Sequence, residues 1–182
     1  MKSRKAPAGK KSETEERIHQ LIAALADPSI DVRHAAVRTL REYGAPAVAP
    51  LISALAAAPD ANHRWYAAIA LSKIREPALP PILTAMAENP DHEFRRYAAA
   101  ALGEMGDIAV EPMIDAMATD DRALRGFLSQ ALCRIGKPAI EPLTRRLEDE
   151  NEIIRSCATL TLWQMGEAGL PAIIQKIQEE KS

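Results

Sequence analysis

One arginine recurs along this chain with a nearly fixed period, and that period limits the fold more than any other feature. Arg33, Arg64, Arg95, Arg125 and Arg155 are spaced 31, 31, 30 and 30 residues apart. Seven residues after each comes a leucine: Leu40, Leu71, Leu102, Leu132 and Leu162. Three residues after each come Ala36, Ala67, Ala98, Leu128 and Ala158, and eleven after come Gly44, Arg75, Gly106, Gly136 and Gly166. Pro50, Pro81, Pro112 and Pro142 mark a further column, with Ala172 in the fifth row. Composition alone does not align five rows in five columns, so the chain is a tandem array with a unit of about 30 residues.

Each unit reads as two helices. Segments such as "VAPLISAL" and "IEPLTRRL" repeat apolar residues at i, i+3, i+4 and i+7, as in Val48, Leu51, Ile52 and Leu55. The second helix, "VRHAAVRTLREYG" in the first unit, does the same with Val32, Ala36 and Leu40. Its closing glycine supplies a left-handed cap, and Pro46, Pro77 or Pro138 then opens the next helix. Short turns rich in Asp, Asn and Pro separate the two helices and can cap the second one. The prolines at 50, 81, 112 and 142 fall about one turn inside the first helix and should bend it. Counted from Glu13, the pattern predicts eleven helices: five pairs, then a lone helix from about Leu170 to Glu179. Hydrophobic residues make up 47% of the chain but aromatics only 4%. The apolar side is therefore alanine and aliphatic residues, which suit close-packed helices and leave little from which to build a sheet.

With "DVRHAAVRTL", "EFRRYAAAALGEMG" and "GKPAIEPL" the chain resembles the HEAT-repeat family, in the short HEAT-like form also seen in phycobilin lyases. The resemblance runs from Ile18 to Ile177 and implies an all-α fold, an α-solenoid of about five helix pairs plus one terminal helix. It also implies a protein that binds other macromolecules, since only a few members of the family do chemistry. The expected division is a disordered basic tail over 1–12 and a solenoid over 13–182. The units would fall near 13–44, 45–75, 76–106, 107–136 and 137–166, with a final helix over 167–180. One helix pair cannot bury its apolar face alone, so neighbouring pairs stack and stability is roughly a nearest-neighbour sum.

Helical periodicity sorts the second helix into faces. Counted from the column arginine, positions −1, +3, +6, +7 and +10 form the core stripe, and +1, +5 and +8 lie opposite it. The opposite strip, expected to be concave, holds His34, Arg38 and Arg41 in the first row and Trp65, Ile69 and Ser72 in the second. Arg96, Ala100 and Gly103 follow, then Gly126, Gln130 and Cys133, then Ser156, Leu160 and Trp163. Trp, Tyr and Arg dominate interface hot spots. Trp65, Ile69, Arg38, Arg41, Arg96, Trp163 and His34 are therefore the candidate binding residues. Tyr66, Tyr97 and Phe127 share the +2 column, which points toward a neighbouring repeat and suggests an aromatic ladder. The arginine column itself reads as structural, bonding turn carbonyls or acidic residues such as Asp60, Asp91 or Asp120. The second row is the least regular, with His63 in an apolar column and Arg75 in the glycine column.

Little in the chain suggests chemistry. The four histidines fall in different columns and do not converge on a metal. His92–Glu93 is similar to the iron-binding His-Glu pairs of HEAT-like deoxyhypusine hydroxylases, but the matching pairs those enzymes use are missing here. There is no glycine-rich phosphate loop, and no Ser or Cys nucleophile stands at recognisable spacing from a base. A HEAT-like DNA glycosylase would need a carboxylate on the inner strip, and the strip has none. No cofactor, metal site or catalytic residue is expected.

Cys133 and Cys157 read as small buried thiols in a reducing compartment, and every apolar run is broken early by charge or proline. A cytoplasmic protein with no membrane partner is the expectation. A net charge of −2 gives no general push toward nucleic acid, although residues 1–60 carry nine Lys/Arg against seven Asp/Glu. The leading expectation is a noncatalytic scaffold that grips a protein or peptide. The alternatives are a nucleic-acid binder using the basic strip and tail, or a lyase or lyase-chaperone subunit resembling phycobilin lyases. A monomer is expected, with Ile174 on the last helix covered by the preceding pair; if it is not, that edge could support self-association.

Overall fold

A computed structural model of the chain describes residues 8–179, with side chains from 13 to 178. Among these residues there are eleven α-helices and no strand. They are α1 (Ala8–Ala24), α2 (Ile30–Tyr43), α3 (Ala45–Ala57), α4 (Ala61–Ile74), α5 (Leu79–Glu88) and α6 (His92–Met105). Then come α7 (Val110–Asp115), α8 (Arg122–Ile135), α9 (Lys137–Arg145), α10 (Glu152–Gln164) and α11 (Leu170–Glu179). The fold is all-α and of the α-solenoid kind. The predicted terminal helix is where the periodicity placed it. Residues 1–7 of the expected tail lie outside the described residues, and α1 already begins at Ala8, because Ala8, Lys10 and Lys11 are good helix formers.

The helices group into two compact units, one ending at Ala78 and one beginning at Leu79. In the first, α1 packs on α2 and α3, and α4 packs on both α2 and α3. In the second, α6, α8 and α10 lie side by side, while α7, α9 and α11 form a second layer and α5 packs on α6. The repeated leucines make the seams: Leu40, Leu71, Leu102, Leu132 and Leu162 are all wholly buried. Each contributes about 2 kcal/mol by leaving water. The alanine column is equally buried and lets neighbouring backbones approach closely.

Among the apolar residues of core column −1 there is one exception. Val32 is 40% exposed, whereas Phe94, Leu124 and Ile154 are buried. At the other end, Ile174 is 52% exposed, against the expectation that it is covered. Here α9 and α10 pack on α11 but leave Ile174 exposed.

The arginine column ties each turn to the helix that follows it. Arg33 Nη1 donates to the Asp27 carbonyl at 2.5 Å, Arg95 Nε to that of Asn89 at 2.9 Å, Arg125 Nη1 to that of Thr119 at 2.5 Å, and Arg155 Nη1 to that of Asp149 at 2.7 Å. In each row the acceptor lies six residues upstream, so one guanidinium satisfies a carbonyl that the preceding helix or its turn leaves open. Arg95 is the extreme case. It is 2% exposed, it also bonds the Met86 carbonyl, and it pairs with Asp121 at 2.8 Å. Its carboxylate partner is thus Asp121, which also caps α8 through the Leu124 N–H. Asp60, Asp91 and Asn151 cap α4, α6 and α10 in the same way. Arg64 departs from the pattern in making no such bond; its Nε, like that of Arg33, is buried without a partner.

Two other expectations change. Pro50 and Pro142 sit inside α3 and α9. In the intervening rows a 3-10 turn precedes the helix, so Pro81 and Pro112 fall in the first turn of α5 and α7, where no hydrogen bond is lost. The +2 ring residues are buried as expected, but they meet other groups. Arg33 lies over Tyr66 at 4.8 Å, Arg96 over Tyr97 at 4.5 Å, and His92 packs edge-on against Phe127 at 5.1 Å.

The glycine column has positive φ, with ψ near −130° at Gly44 and Gly136. This is the conformation of the first central residue of a type II′ turn, not of an α-left cap, and it favours glycine strongly. Arg75 holds the same geometry, with φ 67° and ψ −127°. Since a Cβ at Gly44, Gly106, Gly136 or Gly166 would meet nothing within 4 Å, the penalty at Arg75 is taken to be backbone strain alone. Arg75→Gly should therefore raise stability by about 1 kcal/mol, read as a higher melting temperature.

Asp121 tests the buried arginine. The hydrogen bond from Arg95 holds its carboxyl below the usual value, with the Leu124 N–H adding to the effect. A depressed folded pKa stabilises the protein above the unfolded value near 4 and loses that contribution as pH falls through the folded one. Asp121→Asn keeps a capping side chain but removes the charge. It should cost about 1–2 kcal/mol at pH 7, discounted because the carboxylate is 37% exposed. The difference from the wild type should shrink below about pH 4. Thermal melts of both proteins from pH 7 to pH 3 check this.

Candidate functional site

The candidate residues of the first two rows meet on the outward stripes of α2 and α4, inside the first unit. His34, Arg38 and Arg41 recur at helical spacing along α2, and Ile69 and Lys73 do so along α4. Together with Asp31 and Val37 they line an open groove of about 700 Å³. Val37 is buried and Ile69 is half-buried, so they form an apolar floor, while Arg38, Arg41 and Lys73 are exposed at its rim. Helix periodicity identified four of these residues. It missed Lys73, and it placed Ser72 on the strip, where the structure has Ser72 buried and donating to the Ile69 carbonyl at 2.8 Å. On α4 the +9 position, not +8, looks outward. The signal that could have found Lys73 is its i+4 spacing from Ile69.

Trp65 lies one turn before Ile69 on the same stripe of α4, beyond the groove lining, and is 41% exposed. His34 contributes an exposed side chain whose ring lies 5.8 Å from that of Tyr66. The second row also carries unfavourable features close to these residues. His63 Nε2 and Arg64 Nε are buried without partners, and Arg75 is strained.

The second unit holds the remaining candidates, Arg96 and Trp163. Trp163 is 65% exposed on α10, three residues after Leu160, which is 58% exposed. Arg96 is exposed but occupied: it pairs with Glu93 at 2.6 Å and also reaches the Tyr97 hydroxyl. The hydrogen bond with Glu93 raises the pKa of Arg96 and lowers that of Glu93. In the same unit, Arg145 and Arg146 join Glu111, Asp115, Glu141 and Asp149 in one ion-pair network that links α7 to α9 and the turn after it. Partial burial works to raise the pKa of Glu111, yet the hydrogen bonds from Arg146 and Arg145 hold it below the ordinary value. Arg38, Arg41 and Lys73, by contrast, have no ion-pair or hydrogen-bond partner among the described residues.

Neither thiol is primed for nucleophilic attack. Burial pushes the Cys133 thiol up, and it pushes Cys157 up despite the Arg125 guanidinium nearby. Among the described residues no group of three or more His, Cys, Asp or Glu side chains could hold a metal ion, and no helix is long and apolar enough to cross a membrane.

The sequence matches HEAT repeats over residues 18–103 and the PBS lyase HEAT-like repeat over residues 94–119. No curated protein matches it. Among solved structures it is similar to the complex of CpcE and CpcF of phycocyanin lyase from Nostoc sp. PCC7120. The identity is 25% over 82% of this chain and 65% of that chain, with a TM-score of 0.37. The chain thus spans slightly less than two thirds of the Nostoc protein. It is also similar to an engineered protein, at 20% identity over 87% of this chain and 84% of that one, with a TM-score of 0.34. A computationally designed armadillo repeat protein for modular peptide recognition is similar at 18% identity over 86% of this chain and 90% of that one, with a TM-score of 0.32.

The state of the thiols gives a direct check. Because both are held protonated at neutral pH, iodoacetamide should label the folded protein at least about tenfold more slowly than the unfolded chain. Fast labelling of either cysteine in the folded protein would show an activated thiol.

Proposed function

Because the chain belongs to the HEAT-repeat family, we propose that it is a noncatalytic protein-binding scaffold whose working surface is the outward stripe of α2 and α4. One observation carries this reading: an apolar-floored groove rimmed by Arg38, Arg41 and Lys73, none of them paired with a carboxylate among the described residues. A preformed groove on rigid helices lowers the ordering cost of association. The exposed Trp65 one turn away supplies an aromatic anchor of the kind that concentrates binding energy. A protein or peptide partner is proposed, met in the cytoplasm, with Arg96 and Trp163 as secondary contacts.

The test is a pull-down from lysate of the source organism with wild type, Trp65→Ala and Ile69→Ser, with and without nuclease. The expected result is a protein retained by wild type and lost by the variants. With that protein purified, Trp65→Ala should weaken binding by about 2 kcal/mol, roughly thirtyfold, with only a small change in melting temperature. Material that nuclease removes would instead identify a nucleic-acid binder. Equal retention by all three proteins would exclude this stripe as the working surface.

A further inference from the structure

We propose that the groove between α2 and α4 takes an acidic peptide segment that inserts an apolar side chain, a proposal that rests on the scaffold reading above. Charge complementarity and shape together select this occupant. Three cations, Arg38, Arg41 and Lys73, face one carboxylate, Asp31, around the groove. Several other cations are paired internally: Arg96 with Glu93, Arg134 with Glu104, and Arg145 and Arg146 with Glu111, while Arg122 and Lys137 stand exposed and, among the described residues, unpaired as single charges. Among the described residues none of the three groove cations has an ion-pair partner, and they border an apolar floor open to solvent, so an occupant that brings carboxylates and an apolar side chain complements the site.

Helix geometry sets the form of that occupant. Arg38 and Arg41 are one turn apart on α2, while Ile69 and Lys73 are one turn apart on α4, so charge flanks the apolar floor on both helices. The complementary ligand carries an aliphatic side chain with glutamate or aspartate about one turn to either side. A volume of about 700 Å³ is of the size that accommodates side chains of this kind. A nucleic-acid strand fits the site less well. Single-strand sites stack bases on aromatic rings, and among the lining residues only His34 has a ring. A phosphate backbone would bring nothing to bury on Val37 and Ile69, and it would meet Asp31.

The probe is a fluorescein-labelled peptide of about 14 residues, with two leucines four residues apart flanked by glutamates, titrated against the full chain. Anisotropy is read at about 50 mM and about 300 mM salt, conditions that differ strongly in screening. Comparison probes replace leucine by serine, replace glutamate by lysine, or substitute a single-stranded oligonucleotide. The expected result is binding of the Glu/Leu peptide that weakens with salt and falls at least about tenfold when its leucines become serine. Arg38→Ala/Arg41→Ala should lower affinity at least about tenfold and flatten the salt dependence. Arg145→Ala, which removes a charge from the second unit, should leave binding unchanged. Circular dichroism confirms that each variant is folded.

No binding of the Glu/Leu peptide, equal binding by the Arg38→Ala/Arg41→Ala variant, or tighter binding of the oligonucleotide would each overturn the proposal. The two readings fail separately. If a lysate partner is lost on Ile69→Ser but is not displaced by the peptide, the ligand chemistry is wrong and the scaffold stands. If the peptide binds as expected but no variant loses a lysate protein, the ligand chemistry stands and the scaffold reading is lost.

Discussion

A helix pair of about thirty residues has two apolar sides and can bury only one of them within itself, so every pair depends on its neighbour. Most other features of the structure follow from that constraint. The leucine column is wholly buried because it lies where second helices pack side by side, and the alanine column is there because larger side chains would hold those helices apart. The same constraint explains the exceptions. Val32 and Ile174 occupy positions that the pattern assigns to packing, but they lie in the first and last rows and remain exposed.

Stacking also requires each turn to be held in a fixed place, and here polar chemistry takes over from apolar burial. The column arginine crosses six residues back to a carbonyl that the first helix leaves open, in four of the rows described. An Asp or Asn at the start of the second helix meanwhile satisfies an orphan N–H. In the third row the two devices meet, because Asp121 both caps α8 and neutralises the buried Arg95. Such a residue is costly to replace, since one side chain answers two unsatisfied groups.

Among the described residues both units leave some surface cations unpaired, Arg122 and Lys137 among those of the second, but the first gathers three of them around one apolar floor. The second ties Arg96, Arg134, Arg145 and Arg146 to its own carboxylates, which leaves those groups little to offer a partner. The first leaves Arg38, Arg41 and Lys73 unpaired around an apolar floor. It also contains the row with a strained Arg75 and with buried polar atoms on His63 and Arg64 that have no partner. A repeat that departs from its own consensus, at a cost in stability, beside an unneutralised groove is where selection for binding and selection for folding would pull in different directions.

The period of the arginine, leucine and glycine columns determined the all-α repeat fold, the number of helices and the buried seam, because these depend on local periodicity alone. It also placed His34, Arg38, Arg41, Trp65 and Ile69 on the outward stripe. Only the tertiary structure decided that Lys73 rather than Ser72 completes the groove, since on α4 the +9 position, not +8, looks outward. It alone showed that Arg96 is neutralised by Glu93 while Arg38 and Arg41 are not, and that Asp121 rather than Asp120 answers Arg95. Whether an exposed charge is free depends on side chains one turn or one helix away, and that distance is fixed by packing, which repeat periodicity does not encode.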